Sequence, residues 1–162
     1  HQTLKLLKNK GYRKVIKRDI KGEDRLPVVS GLKLESYNDK LKFFHKGHLE
    51  TFYEDSLFRT GLLLAESYCD YDFRETRTAF HLYDSFVCSG FMCGMKKNNL
   101  QIPKDLGLIL SWGDSETKYL TGTTAWQFPH FKMFKLLENW LNNPEEIVRQ
   151  KFEAELIEGD TI

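Results

Sequence analysis

The chain has 162 residues, a formal net charge of +1, 41% hydrophobic and 29% charged residues. That is enough chain for one domain with a sizeable core, it is too apolar for a disordered protein, and no run approaches the roughly 18 apolar residues of a membrane span. Three cysteines, Cys69, Cys88 and Cys93, leave an odd thiol after any pairing, which argues against a secreted disulfide framework and for the reducing cytoplasm.

The charge is unevenly spread. Residues 1–50 hold thirteen Lys and Arg against six Asp and Glu, and the rest of the chain reverses the balance, eleven against seventeen. A basic end and an acidic end suit docking on a charged macromolecule.

Residues 1–26 read as a basic arm. Leu4, Leu6, Leu7, Tyr12, Val15 and Ile16 are spaced for a short amphipathic helix interrupted near Gly11. Lys8, Lys10, Arg13, Lys14, Lys17 and Arg18 would face water or contact phosphates, so nucleic acid is one candidate partner of this segment. Residues 27–162 are expected to form the domain proper. Within it, Leu32–Glu35 and Lys40–Phe44 alternate as strands do, with SYND as the turn between them. His48 to Tyr68 has helical periodicity, with Gly61 inside its apolar stripe as a point of close contact.

The stretch from Asp70 to Lys97 reads as the central helix. Asp72 and Glu75 are spaced as a capping box, and Ala79, Phe80, Tyr83, Val87 and Phe91 form one stripe beyond it. The short connector at 69–71 implies that this helix pairs antiparallel with the one before. Leu106–Trp112 and the segment ending at Trp126 read as a second hairpin, turning at Gly113–Glu116. Phe131, Phe134, Leu137, Trp140 and Leu141 recur at helical spacing, and Asn143-Pro144-Glu145-Glu146 signals a final helix with Val148, Phe152 and Leu156 on its apolar face. The expected fold is therefore α+β: a single domain of about five helices on a small, mainly antiparallel sheet made of two hairpins.

Candidate chemistry sits on the second stripe of the central helix, where Arg74, Arg77, His81 and Asp84 follow at spacings of three and four. His81 would exchange a proton near neutrality, Asp84 would orient it, and Arg77 would hold a phosphate or carboxylate. The Arg74-x6-His81 spacing resembles the Arg-to-His signature of the helical HEPN ribonucleases. That resemblance implies metal-independent RNA cleavage, with Arg74 stabilising the phosphate and His81 moving the proton.

Other constellations do not converge. His45, His48 and Glu50 lack a fourth ligand at metal-site spacing, and Gly90-x3-Gly94 fits a glycine-limited helix end or a helix contact better than a phosphate loop. No cofactor or metal is expected. Trp112 and Trp126, on the outer face of a hairpin, would serve as protein-binding anchors. The sequence points first to an intracellular protein-interaction domain without catalysis, working through a charged and aromatic surface. Nucleic-acid binding by the arm and the ribonuclease are the alternatives.

Overall fold

The computed structural model describes residues 2–18, 29–38, 53–113, 121–144 and 151–162, with the main chain alone at 53–56 and 112. Leu4 and Leu7, three apart, lie buried on one side of helix α1 (Gln2–Asn9), which gives way at Gly11, where φ is +87°. The following KVIK is strand β1 (Lys14–Lys17), buried along its whole length, and KLES is strand β2 (Lys33–Ser36). Helix α2 (Tyr53–Glu66), strand β3 (Thr78–Leu82), helix α3 (Ser85–Lys97), strand β4 (Gly107–Gly113) and strand β5 (Thr124–Gln127) follow in turn. The chain then forms helix α4 (His130–Asn142) and the short strand β6 (Glu155–Ile157).

The six strands make one sheet in the order β2-β1-β3-β4-β5-β6. Every pairing is parallel except β5 with β6. This overturns the expected pair of hairpins. A strand was expected at 32–35 and β2 lies there, but it runs parallel to β1, with Val15 opposite Leu34; its expected hairpin partner, 40–44, lies outside the described residues. β4 matches the expected strand, and because β5 is parallel to it the two are not a hairpin. Residues of the expected arm supply α1 and the strand that lies between β2 and β3.

The central helix is also corrected. Asp72 closes a turn by accepting the Arg74 N–H at 2.8 Å, and residues 78–82 are a strand buried at every position. The helix begins only at Ser85, capped by Asp84, whose Oδ1 accepts the N–H groups of Phe86 and Val87 at 2.8 and 3.1 Å. Four helices are present among the described residues instead of about five; 145–150 lies outside them, and Leu156, expected on a final helix, belongs to β6.

Alternation along the strands separates two cores. Ile16, Phe80, Leu82, Leu108, Leu110 and Ala125 face α2 and α3, whereas Val15, Ala79 and Ile109 face Leu4 and Leu7 of α1. On the first face Lys14, 6% exposed, bonds both Glu35 and the Tyr71 hydroxyl at 2.5 Å. Burial pulls the ammonium pKa down, and the bonds to Glu35 and Tyr71 more than offset it, so it ends above its ordinary value.

α2 and α3 meet through glycines. A Cβ on Gly61 would enter the Val87 carbonyl, one on Gly90 the Phe58 carbonyl, and one on Gly94 the Ala65 methyl. Contacts thus advance together, Phe58 with Gly90 and Ala65 with Gly94, so the helices run in the same direction and not antiparallel as expected. Of the two readings of Gly90 and Gly94, a helix end or a helix contact, the structure shows the contact.

The last residues fasten the sheet. Thr161 receives the Leu108 N–H on its carbonyl at 2.8 Å and returns its hydroxyl to the Leu108 carbonyl at 2.6 Å, while its Oγ1 also takes the Thr124 N–H at 2.9 Å. Gly90→Ala is expected to cost about 2–4 kcal/mol in urea unfolding, because backbone on α2 must move to admit the methyl, with Lys96→Ala on the exposed side of α3 changing stability by about 0.5 kcal/mol or less.

Candidate functional site

The four residues expected to share one helix face lie at two ends of a strand. Arg74 is exposed in the turn before β3. Arg77 stacks its guanidinium over the Tyr12 ring at 4.7 Å, and its carbonyl accepts the Arg13 N–H at 2.9 Å, at the amino end of β3. His81 stands four residues further along an extended chain, roughly 13 Å away. The helix that carried the ribonuclease resemblance is a turn followed by a strand, so Arg74 and Arg77 do not meet His81 across a reacting phosphate.

His81 and Asp84 belong to a different arrangement, at the carboxyl ends of the strands. By alternation Lys17, His81 and Ser111 share the α1 side of the sheet, with Lys17 opposite His81 in register. His81 Nε2 lies 2.5 Å from Ser111 Oγ, tying β3 to β4. Its ring packs on Tyr83 with centroids 4.9 Å apart and planes inclined at 32°. Nδ1 is buried with no hydrogen-bond partner among the described residues. Burial, aided by the charge of Lys17, lowers the imidazole pKa to about 4, so the ring is neutral at pH 7.

Tyr37, 3% exposed, follows β2 and lies within electrostatic reach of Arg18, Tyr83 and Asp84. Burial drives its phenol pKa up against the opposing pull of Arg18. Asp84 uses Oδ1 on the start of α3, and Phe86, 43% exposed, stands on the first turn beyond it. The sheet order explains why these groups gather. From β1 the chain goes to one side to make β2 and then crosses to the other to make β3, and the loops leaving such a reversal diverge into a crevice at the carboxyl ends. Sequence reading found His81 and Asp84 but missed Lys17 in this role, Tyr37, Tyr83 and Ser111. The available signal was Asp84 itself, a helix cap placed directly after a short apolar run, which marks a strand passing into a helix.

The other expected residues are dispersed. Lys14 and Lys17 are buried at 6% exposure each, on opposite faces of the sheet, while Lys10, Arg13 and Arg18 are exposed and Lys8 is half-buried. The six therefore form no single stripe. Trp126 is half-buried against the α1 core, with Nε1 unpartnered among the described residues, and the Trp112 side chain lies outside them. Cys88 is buried, which pushes its thiol up to about 12, whereas Cys69 and Cys93 are exposed. Among the described residues no group of three His, Cys, Asp or Glu converges on a metal-sized site, and no helix is long and apolar enough to cross a membrane. His45, His48 and Glu50 lie outside the described residues.

A second feature is apolar. No residue of α4 is buried, and Phe134 (67% exposed), Leu137, Trp140 and Leu141 project from it. His130, Met133, Leu136 and Phe152 join Phe134, Leu137 and Trp140 around an open cavity of about 470 Å³.

No protein-family model matches the chain, and no curated protein matches it. Solved structures do. The transcription regulator CcpA of Lactococcus lactis matches 99% of this chain over 59% of its own, at 16% identity and a TM-score of 0.61. A LacI family transcriptional regulator from Lactobacillus casei with bound sucrose matches 99% over 61% of its own chain, at 12% identity and a TM-score of 0.63. A LacI family regulator from an Arthrobacter species, in complex with lactose, matches 99% over 62%, at 10% identity and a TM-score of 0.61. The chain thus has the fold of part of these regulators and spans about three fifths of their length.

His81 makes stability depend on pH with a definite sign. Above its unfolded pKa of 6.5 the ring is neutral in both states; as pH falls toward 4 the unfolded chain takes up a proton that the folded site refuses, so up to about 3 kcal/mol of stability is lost in that window. Urea titrations between pH 7 and 4 are expected to show this loss in the native chain and to lack that component in His81→Gln.

Proposed function

We propose that this chain is a ligand-binding unit of a LacI-type transcription regulator, taking a small hydroxylated ligand at the carboxyl ends of β1, β3 and β4 and doing no chemistry on it. The observation that carries the reading is the reversal of strand order between β1 and β3, with Arg18, Tyr37, Tyr83 and Asp84 gathered where it opens. Aromatic rings beside a carboxylate and a cation suit a molecule with apolar ring faces and hydroxyl rims. Asp84 Oδ2 carries no bond to the described residues, which leaves it to accept from such a hydroxyl. Regulators of the same fold have been solved with sucrose and with lactose bound. Catalysis is not part of the proposal: the buried, neutral His81 spends Nε2 on the Ser111 hydroxyl, which ties β3 to β4.

The proposal includes a protein contact. About two fifths of each matched regulator lies beyond the part this chain resembles. A unit of that kind, in the same or another polypeptide, is the partner we assign to the apolar side of α4. Specific contact with RNA or DNA by residues 2–18 is not part of the proposal, because Lys14 and Lys17 are buried on opposite faces of the sheet and the remaining basic residues are spread over α1 and the ends of β1.

Calorimetric titration with sucrose, glucose, lactose and cellobiose is expected to give saturable binding of at least one, with the sugar recovered unchanged; no heat and no thermal shift with any of them would refute the reading. Asp84→Asn, which still caps α3, is expected to weaken that binding roughly tenfold while changing stability by about 0.5 kcal/mol or less. Leu141→Ser is expected to leave the stability of the isolated chain within about 0.5 kcal/mol, as fits a residue 64% exposed and awaiting a partner.

A further inference from the structure

The two ring nitrogens of His81 are used differently. Nε2 lies 2.5 Å from Ser111 Oγ, whereas Nδ1 is buried with no hydrogen-bond partner among the described residues. A neutral imidazole carries one proton, so the close pair can be bonded in two ways. Either Nε2–H donates to the serine oxygen and Nδ1 is bare, or the serine hydroxyl donates to Nε2 and Nδ1–H is orphaned. An orphaned buried N–H is the arrangement that folded proteins avoid most.

Lys17 argues the same way from charge. It stands opposite His81 on β1, while Ser111 is on β4, across β3 from it. The nitrogens of an imidazole point away from each other, so with Nε2 aimed at β4 the Nδ1 edge turns toward the β1 side, where the Lys17 ammonium acts on the ring. A positive charge on that side repels an N–H and favours a lone pair. Both considerations put the proton on Nε2. The consequence falls on Ser111, whose oxygen then accepts from His81 and whose own proton is left for another partner. His81 is buried and opposite Ile109; Ser111 comes two residues later on β4, on the same face, half-buried and nearer the carboxyl end. Turned away from the imidazole, its O–H points toward the crevice.

We infer that His81, protonated at Nε2, is a positioning residue for the Ser111 hydroxyl, and that Ser111 is a hydrogen-bond donor to an oxygen of the bound ligand. The inference rests on the ligand-binding reading above and deepens it. Asp84 accepts from the ligand and Ser111 gives to it, so the site reads two ligand oxygens in opposite senses. An oxygen that only accepts, such as a ring or glycosidic ether oxygen, satisfies Ser111 as well as a hydroxyl does. It cannot satisfy Asp84.

Two measurements test it separately. Without ligand at pH 7, the nitrogen resonances of the His81 ring are expected to show a protonated Nε2 and a bare Nδ1; the reverse pattern would overturn the inference whatever the chain binds. With sucrose, glucose, lactose and cellobiose as probes, Ser111→Ala is expected to weaken roughly tenfold each sugar that the native chain binds, and Ser111→Thr, which keeps the hydroxyl, about threefold or less. His81→Gln, whose side-chain amide also donates, is expected to stay within about threefold of the native affinity, whereas His81→Leu loses roughly fivefold. His81→Leu is expected to cost nothing further on top of Ser111→Ala, because it acts only through the serine. If the serine donated to His81 instead, His81→Leu would free its proton and leave binding unchanged or tighter, and that result overturns the inference. A native chain that binds none of the four sugars would remove the ligand reading and the Ser111 contact together, whereas binding that survives Ser111→Ala intact would remove the Ser111 contact alone.

Discussion

The contact between α2 and α3 fixes the architecture. Three glycines bring the two helices so close that a Cβ on Gly61 or Gly90 would run into a backbone carbonyl of the other helix, and one on Gly94 into the Ala65 methyl. Their parallel course then requires the intervening chain to return the full length of the domain, and β3 is that return. A strand that runs against two parallel helices on one face must pair with strands reached by similar crossovers, which yields parallel neighbours on both sides. The carboxyl ends of these strands consequently collect at one edge of the molecule, and the capping of α3 by Asp84 occurs there because the helix has to start where β3 stops.

Much of the local structure was legible in the residues. The leucine spacing of α1, the stripes of α2 and α4, the apolar LGLILSW of β4 and the contact role of Gly90 and Gly94 follow from periods that a single element sets by itself. The pairing of strands was not legible. A strand in a parallel sheet is covered on both faces and reads as an unbroken apolar run, so TAFHL carries no alternation to distinguish it from helix. Arg77, His81 and Asp84 then fall at three- and four-residue intervals by coincidence of a short strand and its exit, and Asp72 with Glu75 imitates a cap although Asp72 serves only its own turn.

The candidate site was half visible for the same reason. His81 and Asp84 stand out by chemistry and are adjacent in the fold; Arg74 and Arg77 share their helical spacing and are separated by the length of a strand. Tyr37 and Ser111 come to the same end from β2 and β4, and nothing in their own surroundings in sequence marks them. Only the order of strands brings them together, so the site is a property of topology more than of any motif. Lys14 shows the converse. A lysine expected to face phosphates instead lies inside, where Glu35 and Tyr71 supply the bonds that water would have made.

Thr161 has a bearing on how the chain is made. Leu108 waits for a bonding partner that lies 53 residues later, and Thr124 for one 37 residues later. During synthesis on the ribosome, β1, β2, β3 and their helices can dock as they emerge, since each finds its neighbours among residues already outside. β4 can pair with β5 along most of its far side, but its start at Leu108 lacks this partner until residue 161 has emerged. The sheet is therefore completed in chain order, its β5 edge closed only when residues 155–162 fold back across it.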